Sequence, residues 1–195
     1  RHPDVFVKTA AGVAMAPTLS TAEDRTDALA HIAPQLAASD LFRNGTGEMY
    51  GIKNQWSEPA LLRMDRMLVP AFGARAYGVH LNGSVVKDGA VHARSAKAAS
   101  VISYCFETAN GLRNDILFCY DLNVPDDITP RNTDGEISGF ELMALPEVLT
   151  LVRETNRFKF NVNLVIIDLS MRLGALTPEN TPNYEQIAAG LRSRP

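Results

Sequence analysis

The sequence predicts an α+β fold, or a layered α/β one, built in two regions that meet near residue 70. Three observations carry that reading. A strand pair and a capped helix open the chain, the clearest hairpin lies in the middle, and three helical segments close it. Strands followed by helices in this order bury their apolar faces best as stacked layers. At 195 residues the chain is long enough to bury a substantial core.

In the first region, "DVFVKTAAGVAMAP" reads as two strands about Ala11-Gly12. "TAEDRTDALAHIAPQLAASD" reads as a helix: Thr21 caps it, with Asp24 three residues on. Leu29, Ile32 and Leu36 share one face at helical spacing. Pro34 should kink that helix. After the turn cluster "RNGTGE" come "MYGIKNQW" and the apolar "ALLRMDRMLVPAFG", which breaks at Pro70. The boundary gives an accessory α/β domain over residues 1–70 and a second domain over 71–195.

The second region is richer in strands. "RAYGVHLNGSVVKDG" is extended, with turn signals at Asn82-Gly83 and Asp88-Gly89. "VISYCFETANGLRNDILFCYDLNV" has two β-rich arms about Asn110-Gly111, which sets Cys105 across from about Ile116 and away from Cys119. Both cysteines are therefore expected as free thiols, in keeping with a reducing cytoplasm. The polar loop "PDDITPRNTDGE" leads into an expected strand, "EISGFELMAL". Pro146 suits the first position of a helix over "PEVLTLVRETN". In "FKFNVNLVIIDLSMRLG", Phe160, Leu164, Ile167 and Met171 form the expected core stripe, and Arg172 and Gly174 give stop signals. "NYEQIAAGLR" reads as a short final helix.

Charge and motifs narrow the chemistry. A net charge of −3 supplies no basic field for a nucleic-acid polymer or a membrane surface. No apolar run approaches the ~18 residues needed to span a bilayer, and the opening "RHPDVFVKTA" lacks an apolar leader core. Phosphate-binding glycine loops, zinc-type spacings and nucleophile elbows are all missing from the sequence. His80, in "GVHLNG", is either a ligand contact or a structural histidine. Asp121, Asp126, Asp127, Asp134 and Glu136 could hold a hard cation or form a solvated loop. Glu136 stands apart, because it sits where the loop re-enters the expected strand. Arg113 and Asp115 share a strand face by period-2 alternation, as a charged-ligand site or as an ion pair. Lys159 is either a phosphate contact or an exposed helix-end lysine.

Four segments in order, "FGARAYGVHLNGSVVKDG", "ISYCFETANGLRNDILFCYDLNVPDD", "DGEISGFELMALPEV" and "FKFNVNLVIIDLSMRLGALTP", resemble the Nudix hydrolases. The branch is the one with an N-terminal domain of unknown function, related to the Nudix part of thiamine pyrophosphokinase proteins. The resemblance implies a Nudix fold, a mixed sheet between helices. It also implies a pyrophosphohydrolase that needs Mg²⁺ or Mn²⁺ and cleaves a diphosphate linkage in a thiamine diphosphate-like or nucleoside diphosphate-X substrate. Such enzymes act by metal-assisted attack of water, and homodimers occur among them. By resemblance, Glu136 is the catalytic carboxylate and metal ligand, and Tyr104, Phe106, Arg113, Asp115 and Asn161 are substrate-binding residues. Tyr104 and Phe106, on one strand face, would form an aromatic wall against a heterocyclic ring, or pack in the core. One departure matters: the family's box, G-x5-E-x7-R-E-U-x-E-E-x-U-G with U aliphatic, is absent. Its place falls between residues 97 and 101, where the sequence offers only "KAASV". A non-catalytic module that binds a diphosphate ligand is therefore the alternative.

Overall fold

A computed structural model describes residues 2–38, 45–85, 96–132, 135 and 139–193. Strands β1 (Phe6–Thr9) and β2 (Gly12–Met15) pair antiparallel, as do β3 (Met49–Ile52) and β4 (Leu62–Asp65). Strands β5 (Arg75–Val85), β6 (Lys97–Thr108) and β7 (Gly111–Val124) form one sheet in the order β5-β7-β6. Helices are α1 (Ala22–Ala37), α2 (Leu145–Glu154), α3 (Phe160–Arg172) and α4 (Tyr184–Gly190). A two-residue turn makes β6 and β7 antiparallel. Side-chain bonds join Asn82 to Asp121 and Ser84 to Asn123, both 39 positions apart. A constant offset of that kind means β5 runs parallel to β7. The expected α+β class, with a mixed sheet, is present. Among the described residues no helix is long and apolar enough to cross a membrane.

The chain divides into two compact units. One takes the residues up to Tyr77 with Tyr104–Ile116, and the other takes Gly78–Ser103 with Leu117–Ser193. In the first, Thr21 and Asp24 close a reciprocal capping box: the Asp24 amide donates to Thr21 Oγ1 (3.0 Å) and the Thr21 amide to Asp24 Oδ2 (2.9 Å). Two of the amides orphaned at the helix start are thereby satisfied. Leu29 and Ile32 point from α1 into a core with Val5, Leu62, Met64, Leu68 and Val69, and Leu36 packs against it. The helix runs three residues beyond Pro34, so the proline falls in the last turn and does not break it.

At the hairpin the turn residues are Ala109 and Asn110, and Gly111 opens β7 with φ 118°. A Cβ on Gly111 would lie 2.2 Å from the Pro70 carbonyl oxygen, which accepts the Leu112 amide at 2.8 Å. Only glycine fits there. This register pairs Tyr104 with Asp115 and places Cys105 opposite Asn114, two positions short of Ile116. Both cysteines are free thiols.

In the second unit, α3 presents Val165, Asp168 and Ser170 as its buried residues, whereas Phe160 is 52% exposed. The expected stripe is thus rotated about the helix. The cause is Asp168, which is 1% exposed and accepts from Ser100 Oγ (2.6 Å), Arg172 Nε (2.8 Å) and Arg192 Nη2 (2.9 Å). Arg172 also forks onto both oxygens of Asp121, which accepts from Asn82 Nδ2 at 2.9 Å. Asn82-Gly83 therefore stays within β5, its turn preference overridden by a side-chain bond to β7. The Ser103 amide donates to the Leu191 carbonyl at 3.0 Å, tying the chain after α4 to β6.

Two further expectations change. Residues 139–144 have no regular structure, and Phe140 and Leu142 are exposed. The expected strand over 136–145 is therefore absent from its described part, and α2 begins at once with Pro146 in its first turn. Residues 97–101 form the start of one continuous strand, β6. Asp88-Gly89 lies outside the described residues.

Truncating Ile32 to Ala removes a side chain that is 2% exposed and should cost about 2–5 kcal/mol. Trp56 is the sole tryptophan and lies in the same unit. A urea titration followed by its fluorescence should therefore report the loss, and an unmoved midpoint would remove Ile32 from the core.

Candidate functional site

Four of the expected binding residues meet on one face of the β6–β7 hairpin. Period-2 alternation puts Tyr104 and Phe106 on one side of β6 and Arg113 and Asp115 on one side of β7. The hairpin register then sets Tyr104 across from Asp115 and Phe106 across from Arg113. Tyr104 Oη donates to Asp115 Oδ2 at 2.7 Å. Arg113 donates to the same oxygen from Nε (3.1 Å) and Nη2 (2.5 Å). The Tyr104 and Phe106 rings lie 5.8 Å apart at 36°, within the range of favourable tilted contacts.

The face grades from buried to open. Tyr104 and Asp115 are buried, while Phe106 is exposed and half of the Arg113 side chain reaches solvent. Burial and the Asp115 carboxylate together push the Tyr104 hydroxyl well above its usual range, so it stays a neutral donor. The Arg113–Asp115 pair is an ion pair, one of the two readings the sequence left open. Asp115 fixes the guanidinium, and the next cation, Arg66, is paired with Glu48 at 2.8 Å.

The other candidate residues are placed as follows. Asn161 lies partly buried in the first turn of α3, in the other unit. Glu136, the expected catalytic carboxylate and metal ligand, lies outside the described residues, as does Asp134. Asp121 is held by Arg172 and Asn82 and is not an open cation ligand. His80 is half-buried on β5, and burial alone pushes its imidazole below the usual range. Lys159 caps α3 through its backbone. Among the described residues no group of three His, Cys, Asp or Glu side chains is placed to hold a metal ion. The described residues therefore do not by themselves fit the divalent cation that the resemblance implies.

Two other features were not anticipated. The Asp168 cluster was signalled in the sequence only by the i, i+4 spacing of Asp168 and Arg172, and its carboxylates and guanidinium groups are matched within the fold. In the first unit, a cavity of about 320 Å³ is lined mainly by apolar side chains, among them Leu29, Ala33, Met49, Met64 and Leu68. Asp65 at its wall is satisfied by the amides of Gly47 (2.7 Å) and Met67 (2.8 Å).

Comparison with known proteins adds independent findings. Residues 1–76 match the family model of a domain of unknown function, DUF4743. Over 90% of its length the chain is 29% identical to Nudix hydrolase 20, chloroplastic, of Arabidopsis thaliana, covering 60% of that protein. It is 30% identical over 90% of its length to Nudix hydrolase 24, chloroplastic, of the same plant, covering 61%. An uncharacterized protein of Saccharomyces cerevisiae is 31% identical over 59% of the chain, covering 35% of the yeast protein. The chain thus spans about 60% of the length of the Arabidopsis proteins. The first alignment runs over 225 positions, whereas 90% of 195 residues is about 176. Roughly fifty aligned positions therefore have no counterpart here.

Arg172 holds the Asp121 carboxyl below its ordinary value of 3.8, against the opposing effect of burial and with help from Asn82. Because the folded value is lowered, this stabilisation is complete above the ordinary value and drains away as pH falls through the folded one. Urea midpoints of the wild type should therefore decline more steeply below about pH 5 than those of Asp121→Asn. Parallel declines would contradict the assignment.

Proposed function

We propose that the chain is a Nudix-type pyrophosphohydrolase that cleaves a diphosphate linkage in a small molecule, a thiamine diphosphate-like or nucleoside diphosphate-X compound. The observation that carries the reading is the similarity to two proteins named Nudix hydrolases across 90% of the chain. The matched domain over residues 1–76 serves as the accessory part. In this reading water attacks phosphorus, the bridging P–O bond breaks, and the proton leaves the water for a carboxylate. Glu136 is the residue assigned to that carboxylate. The cation, Mg²⁺ or Mn²⁺, requires ligands beyond the described residues. The reading keeps a cytoplasmic setting, in keeping with two free cysteines, and leaves room for a homodimer.

A second reading has its own support. The roughly fifty unmatched positions and the lack of a metal-ligand group among the described residues favour a binding module that holds the same ligands without hydrolysing them. Release of inorganic phosphate from thiamine diphosphate and from a nucleoside diphosphate sugar, with coupled phosphatase and with Mg²⁺ or EDTA, separates the two. Hydrolysis predicts metal-dependent release that Glu136→Gln lowers by about a hundredfold or more. No release from folded wild-type protein that nevertheless binds either compound saturably would favour the binding module, and a wild-type rate in the variant would remove Glu136 from the mechanism.

A further inference from the structure

The first unit keeps a space that its described side chains do not fill. Every described residue lining the cavity of about 320 Å³ falls between positions 29 and 68, within that unit. Leu29, Met64 and Leu68 form its floor, each no more than 4% exposed. Ala30, Ala33 and Pro34 of α1 form a wall, because positions three and four apart share one helix face. Two methyl groups and a proline ring stand where longer side chains would close the space. Met49, 45% exposed, and Arg63, also exposed, mark the mouth.

Protein interiors pack with few voids larger than a water molecule, and an apolar space gives water too few partners to fill it well. This one lies within the range of small-molecule sites, about 300–1,000 Å³. Two methionines line it, and their flexible thioether chains adapt to guests of varied shape. Charge then selects the head of the guest. Both oxygens of Asp65 accept amide protons, Oδ2 from Gly47 at 2.7 Å and Oδ1 from Met67 at 2.8 Å. A Cβ on Gly45 would lie 2.8 Å from the same Oδ2, so the loop closes tightly on that carboxylate. Arg63 differs. Its amide donates to Thr26 Oγ1 at 2.9 Å, but no described residue pairs with its guanidinium. One unmatched positive charge at the mouth of an apolar space suits a guest with one negative charge and an apolar tail.

We infer that this cavity binds a small amphiphilic carboxylate, with its hydrocarbon tail against Leu29, Met64 and Leu68 and its head at Arg63. A carboxylate suits the mouth better than a doubly charged phosphate ester, because a single guanidinium matches one charge and forks onto two oxygens. The inference gives the domain over residues 1–76 a ligand site of its own. It does not rest on the proposed hydrolysis, since none of the lining residues enters that reaction.

The test titrates the full chain with sodium octanoate at neutral pH, below its micelle concentration, and follows the methionine methyl signals by NMR. The Met49 and Met64 signals should shift together and saturate. Ala33→Leu fills the space and should abolish saturable binding. Ala30→Leu, at an exposed position, narrows the mouth and should weaken octanoate by about fivefold or more, which keeps the test open if Ala33→Leu does not fold. Arg63→Gln should weaken octanoate by about tenfold and leave octanol unchanged, a separation that a general loss of packing would not produce. Unmoved Met49 and Met64 signals, wild-type affinity in the folded leucine variants, or wild-type octanoate affinity in Arg63→Gln would each overturn the inference. No hydrolysis is read, so a failure here leaves the proposed reaction standing, and an inactive protein that still binds octanoate leaves this site standing.

Discussion

The carboxylate of Asp168 is the point on which the second unit turns. An ionised group so deeply buried is tolerated only where cations and hydrogen-bond donors replace its lost water. Ser100 from β6, Arg172 from the next turn of α3, and Arg192 from beyond α4 all supply that replacement. Arg172 then reaches Asp121 on β7, and Asp121 reaches Asn82 on β5. Every strand of the three-stranded sheet thus has a side chain in one polar network with α3. Hydrophobic burial alone would leave α3 free to rotate about its axis, whereas a fixed set of donors around one carboxylate allows a single orientation.

The first unit repeats the device on a smaller scale. Asp115 is likewise buried and matched by an arginine and a hydroxyl, but its partner Arg113 reaches solvent. Asp168 has partners on both oxygens, whereas the described donors to Asp115 all reach Oδ2. The Arg113–Asp115 contact is thus an ion pair, the plainer of the two readings the sequence allowed.

What could be read from sequence followed local rules. Thr21 and Asp24 announce a cap, Leu29 and Ile32 a buried face, Pro146 a helix start, and the β-rich arms about Asn110-Gly111 a hairpin, whose turn falls one residue earlier. What escaped depended on partners distant in sequence. Helical periodicity marked Phe160 as core, because hydropathy gives no weight to a buried aspartate. Asn82-Gly83 reads as a turn until Asp121, 39 residues away, holds it in β5. Ser100 sits in a stretch of small residues, and nothing local shows that its hydroxyl meets Asp168. The site divides the same way. Alternation put Tyr104 with Phe106 and Arg113 with Asp115, while the bond joining the two pairs required the true hairpin register.

If Asp168 organises its unit through paired charge, removing that charge must cost far more than an average substitution. The direct measurement is the urea midpoint of Asp168→Asn by far-UV circular dichroism, with the wild type alongside. Losing one partner of a buried ion pair predicts a cost of about 3–5 kcal/mol, with the Ser103 amide, bonded to Leu191, exchanging faster with solvent. A midpoint and exchange rate equal to those of the wild type would contradict the account.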